Sequence, residues 1–113
     1  MKLFREISII DTELFNFYRT QPLKVQRKID FVFDLVRYTE IVPSQYFKFL
    51  KGSEGIYEIR VITYLSSIRF LGFFDGDRFF VLTNYFIKKT AKTPKSMIQL
   101  AEKRKSEFQK QKS

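Results

Sequence analysis

The chain has 113 residues, 44% hydrophobic and 18% aromatic, a composition that supports a folded core and argues against disorder. Its formal charge of +9 is unevenly placed: residues 1–50 carry eight basic and six acidic side chains, residues 51–113 thirteen and six. Cysteine and histidine are both absent, which removes disulfides, thiol nucleophiles, Ser-His-Asp triads, Cys/His zinc sites and imidazole acid–base catalysis.

In chain order, residues 2–10 mix apolar and charged positions with β-branched Ile7, Ile9 and Ile10, and predict a short strand. Asp11 is a cap for a helix over Thr12–Arg19, and Pro22 sits where a second helix can begin. Val25, Ile29, Val32, Phe33 and Val36 follow helical spacing within residues 23–40, with Arg27, Lys28, Asp34 and Arg37 off the stripe. That pattern fits a helix packed on a sheet, or an amphipathic helix that binds a partner. Residues 44–55 read as a surface connection.

Three strands are expected next, over Ile56–Tyr64, Ile68–Asp75 and Arg78–Ile87. Asp75-Gly76-Asp77 is a strong hairpin signal and Ser66-Ser67 a weaker one. Lys88–Lys92 is a short basic loop, and Thr93-Pro94 predicts the cap and first residue of a last helix with Met97, Ala101, Arg104 and Phe108 on one face. Residues 109–113 are expected to fray. The order strand, two helices, three-stranded antiparallel meander, helix defines an α+β class, in a single domain over residues 1–113.

The N-terminus lacks a long apolar core and a small-residue cleavage site. No stretch approaches the ~20 apolar residues of a membrane span, so a cytoplasmic protein with no membrane partner is expected.

With two-residue loops at Ser66-Ser67 and Gly76-Asp77, Arg60 would pair with Phe73, Tyr64 with Arg69, and Arg69 with Asn84. Period-two alternation then puts Arg60, Arg69, Asn84 and Lys88 on one face, with Leu71, Phe73, Phe80 and Leu82 beside them. The other face, with Ile59, Val61, Phe70, Phe74, Phe79, Val81 and Tyr85, would pack on the helices. Guanidinium matches phosphate in bidentate geometry, and Phe or Tyr can stack on unpaired bases. The same arginines can instead pair with Glu58, Asp75 or Asp77. The lysines of Lys88–Lys92 fit either a phosphate clamp or a solvated connection. A basic half favours RNA, DNA or an anionic surface as partner, and also serves plain solubility.

IYEIRV at 56–61, RFLGFFDGDRFFVLTNYFIKKTAKTP at 69–94 and AEKRKSEF at 101–108 resemble the phage-derived branch of the RelE/HigB superfamily of type II toxins, over about residues 50–108. The resemblance implies a small RelE-like domain and a ribosome-dependent endoribonuclease. Such a toxin cuts translated mRNA in the A site by 2′-OH attack on the adjacent phosphate. It implies a helix-turn-helix, HigA-like antitoxin, with operator DNA reached only through that antitoxin, and no cofactor or metal.

By matching position, Arg60 and Arg69 would stabilise transition-state charge. Lys88 or Lys89 would bind phosphate or take the proton. Glu58 would act as a base or orient an arginine. Lys89, Lys92, Tyr64 and Asn84 are the expected RNA contacts. Residues 95–113 hold no Tyr or His where relatives carry a functional residue, which leaves Tyr57, Tyr64 and Tyr85 as loose candidates for the acid. A non-catalytic RNA- or antitoxin-binding member of the superfamily is the alternative reading.

Overall fold

The computed structural model describes residues 1–112. The chain forms β1 (Glu6–Ile9), α1 (Thr12–Thr20), α2 (Leu23–Tyr38), β2 (Phe47–Phe49), β3 (Ile56–Ile62), β4 (Ser67–Asp75), β5 (Phe79–Ile87) and α3 (Lys95–Lys112). The strands make one five-stranded sheet in the order β1-β5-β4-β3-β2, with β1 parallel to β5 and every other pair antiparallel. The α+β expectation holds.

Local chemistry starts and stops these elements. The Asp11 carboxylate accepts the Glu13 backbone N–H and caps α1. The α2 stripe buries as its spacing requires: Val25, Ile29, Val32 and Val36 lie in a core with Ile59, Val61, Ile68 and Phe70, and Phe33 packs against it. α3 covers the opposite face, where Ala101, Met97 and Phe108 meet Ile56, Leu71, Phe73 and Val81. Each fully buried aliphatic or Phe side chain contributes about 1.5–3 kcal/mol on transfer from water. The face expected to offer Leu71 and Phe73 to stacked bases is therefore a second core, closed by α3.

Several expectations are corrected. The 44–55 connection contains β2, which adds an edge strand to β3. The β3–β4 loop is Thr63–Ser66, not Ser66-Ser67: Ile62 faces Ser67 and Arg60 faces Arg69. Thr63 dictates this turn, because its hydroxyl accepts from the Leu65 and Ser66 N–H groups and donates to the Ser66 carbonyl. The slip is an even number of residues, so Arg60 keeps its face and gains Arg69 as its direct neighbour.

The β4–β5 loop has three residues, with Gly76 at φ +78°, where a side chain would be strained. A bulge then leaves Thr83 without an opposite residue, since Leu71 faces Asn84 and Gly72 faces Leu82. The three-residue loop, one longer than expected, puts Phe80 and Leu82 on the α1/α2 face and Val81 on the α3 face, and the bulge then returns Asn84 to the α3 side. Loop and bulge together place Phe86, not Asn84, across from Arg69. A Cβ on Gly72 would fall against the Val81 carbonyl and the Phe80 ring, so only glycine fits here.

The last helix departs at both ends. It begins at Lys95, because the Thr93 hydroxyl bonds Glu58 and not the helix terminus. It runs through Lys112, which pairs with Asp75 at 2.6 Å, so residues 109–112 are helical and not frayed. Ser113 lies outside the described residues. Among the described residues, no helix is long and apolar enough to cross a membrane.

Candidate functional site

One end of the α3 face breaks the apolar pattern. Glu58 and Arg60 are two residues apart on β3 and share this face; Arg69 stands directly opposite Arg60 on β4. Two guanidiniums facing each other across strands repel. Glu58 resolves the conflict: Oε2 accepts from Arg60 Nε at 3.0 Å, and Oε1 lies 3.6 Å from Arg69 Nε. Glu58 is 1% exposed and Arg69 4% exposed, whereas Arg60 is half-buried. The carboxylate accepts a further bond from Thr93 Oγ1 at 2.7 Å, which ties the loop before α3 to the sheet.

Arg69 also donates from Nη1 to Ser67 Oγ at 2.8 Å, while its Nε has no hydrogen-bond partner and is held by ion pairing alone. Burial pushes the Arg69 guanidinium below its ordinary pKa, Glu58 opposes that shift, and Arg60 adds to it.

Lys88 follows β5 directly, and its backbone N–H donates to the Ser67 carbonyl at 2.8 Å, extending the ladder. Its ammonium is held below the ordinary lysine range by partial burial first, then by repulsion from Arg69 and Arg60, with Glu58 acting the other way and Lys48 adding repulsion. A lysine shifted this way has a larger neutral fraction near neutral pH than a free one.

Glu58 and Arg60 open onto a cleft of about 350 Å³ that Lys48, Lys51, Lys92 and Thr93 also line, with Arg69 behind them. One carboxylate faces several cations, and that carboxylate is already paired, so the cleft attracts anions. Among the described residues, no three Asp or Glu side chains converge as metal ligands would.

The expected residues therefore divide. Glu58, Arg60, Arg69 and Lys88 come together, and Lys92 lines the same cleft. Lys89 is exposed on the loop. Tyr64 lies in the β3–β4 turn, its ring 5.9 Å from the Lys24 ammonium of α2. Asn84 is buried and ties β5 to α3: Oδ1 accepts from Thr83 Oγ1 at 2.6 Å, and Nδ2 donates to the Met97 carbonyl at 3.2 Å. Tyr85 stacks on Phe17 at 4.1 Å, and Tyr57 packs against the α1/α2 core, both on the far side of the sheet.

Sequence reasoning missed Lys48 and Thr93 as parts of the site; Phe49 also borders the cleft, but its ring packs on Tyr57 on the far side of the sheet. The alternation Phe47-Lys48-Phe49 was the available signal; pairing of Lys48 with Glu58 across β2–β3 puts that lysine on the charged face.

Comparison with known families matches residues 16–106 to the family described as phage derived protein Gp49-like (DUF891). No curated protein matches the chain.

Proposed function

We propose, for a chain that belongs to the Gp49-like family of RelE/HigB-like toxins, that it is the toxin of a type II toxin–antitoxin pair and cuts translated mRNA in the ribosomal A site. The observation that carries this reading is the junction of Arg60, Arg69 and Lys88 around one buried carboxylate, Glu58.

The chemistry follows from those groups. An RNA phosphate enters the cleft and takes hydrogen bonds from Arg60, with Arg69 behind it. Neutral Lys88 accepts the 2′-OH proton as the oxygen attacks the adjacent phosphorus. A new O2′–P bond forms, the P–O5′ bond breaks, and the RNA is left with a 2′,3′-cyclic phosphate. The departing 5′-oxygen takes a proton from water.

The guanidiniums stabilise the charge that builds on the phosphorane, an effect that in other enzymes amounts to about 10²–10³ in rate per donor. Glu58 serves as the orienting group and not the base, because both its oxygens already face arginine or Thr93 donors. Lys89 and Lys92 bind flanking phosphates. A HigA-like antitoxin with an acidic segment would neutralise the same cleft, and operator DNA would be reached through it. The expected location is the cytoplasm, where ribosomes are.

A second reading has one specific observation in its favour. Among the described residues, no tyrosine hydroxyl lines the cleft, so an acid matched to the leaving group is missing. A member that binds RNA or antitoxin without cutting would have the same cations. The two readings separate in a translating extract. Purified protein is expected to cut mRNA only while ribosomes translate it, leaving 2′,3′-cyclic ends. Intact mRNA in the presence of folded protein contradicts cleavage and leaves the binding reading standing.

A further inference from the structure

The two edges of the sheet differ in how they are protected. β2, at one edge, is three residues long and carries Lys48 at its centre, features that discourage pairing with another strand. β1, at the other edge, reads Glu-Ile-Ser-Ile, with no lysine, proline or bulge. Glu6 and Ile10 donate their backbone N–H groups to the Arg78 and Leu82 carbonyls, towards β5. Alternation therefore turns the N–H and C=O groups of Ile7 and Ile9 out of the sheet, where they meet no partner among the described residues.

This strand is held at both ends. Before it, the Phe4 and Arg5 N–H groups bond the Arg37 carbonyl, and the Arg5 guanidinium donates to the carbonyls of Val36, Thr39 and Glu40. After it, Asp11 caps α1 and pairs with Arg104. A strand fixed in this way loses little freedom when another pairs with it. Beside it lies a groove of about 400 Å³ bordered by Ile7, Ile9, Ile10 and Phe15. Ile9, Ile10 and Phe15 are 39%, 41% and 55% exposed. Scattered exposed apolar residues are ordinary, but these adjoin a row of open backbone donors and acceptors.

We propose that β1 pairs antiparallel with β1 of a second copy of this chain, about a two-fold axis at Ser8, and joins the two sheets edge to edge. The segment is self-complementary in that register. Ile7 stands opposite the partner's Ile9 and exchanges both backbone hydrogen bonds with it, Glu6 stands opposite the partner's Ile10, and Ser8 meets its own copy. No like charges come face to face. The cationic cleft does not oppose the pairing, because it sits near the other edge, about 20 Å away at the usual strand spacing. That is beyond the Debye length of about 8 Å at physiological salt. Both clefts stay open, on the outer sides of the pair.

The chain contains no cysteine, which supplies a clean probe. Ser8→Cys puts one thiol on the proposed axis, at a position where opposed Cα atoms lie about 4.5 Å apart, within disulfide reach. Mild oxidation is expected to link two copies through this residue, and an equally exposed control, Ser106→Cys on α3, to stay single. Sedimentation equilibrium of the wild-type protein is expected to show its mass rising from one chain towards two with concentration. Ile9→Lys, which sets a lysine on each side of the axis, should weaken that association at least about tenfold. A wild-type protein that stays monomeric at every concentration overturns the proposal. So does a dimer that Ile9→Lys leaves unchanged, or cross-linking of Ser106→Cys as fast as that of Ser8→Cys. Circular dichroism checks that each variant is folded, and Ser8→Cys decides the matter alone if Ile9→Lys is not.

Discussion

The two faces of the sheet are both buried, but with different chemistry. Under α1 and α2 the buried side chains are aliphatic and aromatic throughout, from Leu14 and Ile29 to Phe80 and Leu82. Under α3 the same kind of core occupies one part, around Ile56, Leu71 and Phe73, and gives way to Glu58, Arg69 and Asn84. An unpaired ion in such a position is strongly destabilising, and a buried pair adds little net stability over an apolar replacement. The first face is explained by folding alone. The charged end of the second is not, and its opening onto a cationic cleft gives it a functional account.

That contrast can be broken by mutation. Glu58→Ala should have the largest effect, since it leaves Arg69 buried without its counter-charge beside Arg60; a loss of about 3–5 kcal/mol in urea unfolding is expected. Leu82→Ala, on the apolar face, should lose a similar or slightly smaller ~2–5 kcal/mol through the cavity it leaves, but with no change in RNA affinity once folded. If Leu82→Ala impairs RNA binding as much as a cleft variant does, the division between the faces is wrong.

Gly72→Ala tests the bulge that sorts residues between faces. The added methyl meets the Val81 carbonyl and the Phe80 ring, and overpacking of this kind costs about 1–3 kcal/mol. Thr93→Val removes one hydrogen bond to Glu58 while keeping the shape of the side chain, for a loss of about 1 kcal/mol and faster amide exchange in the 88–93 loop. Lys112→Ala, at an exposed pair with Asp75, should change stability by less than about 1 kcal/mol, and less again in high salt.

The contrast also marks what could be read from sequence. The α2 stripe and the Asp11 cap were legible because they depend on neighbours within a few residues, and helical periodicity reports burial directly. The shared face of Arg60, Arg69 and Lys88 was legible too, because the register errors, at Thr63–Ser66 and across the β4–β5 loop and bulge together, are even numbers of residues and preserve side-chain direction. The wrong faces given to Phe80, Val81 and Leu82 come from the β4–β5 loop, which has three residues where two were expected, an odd slip that reverses every side chain up to the Thr83 bulge. The role of Thr93 was hidden because its partner, Glu58, is distant in sequence, while its place before Pro94 suggested a helix cap. β2 was missed because three residues are too short for a strand pattern, and Lys48 and Phe49 went with it.

The most direct test of the charged end as a reacting centre is the pH dependence of mRNA cleavage under single-turnover conditions on translating ribosomes. In the proposed step neutral Lys88 accepts the proton, and its pKa is lowered from the ordinary 10.5. The rate is therefore expected to rise with pH along a limb set by that lowered pKa. Lys88→Arg, which keeps the charge but stays protonated, should be at least about a hundredfold slower and lack the limb. A Lys88→Arg protein that is folded and cleaves at the wild-type rate, with the same pH profile, would contradict the account.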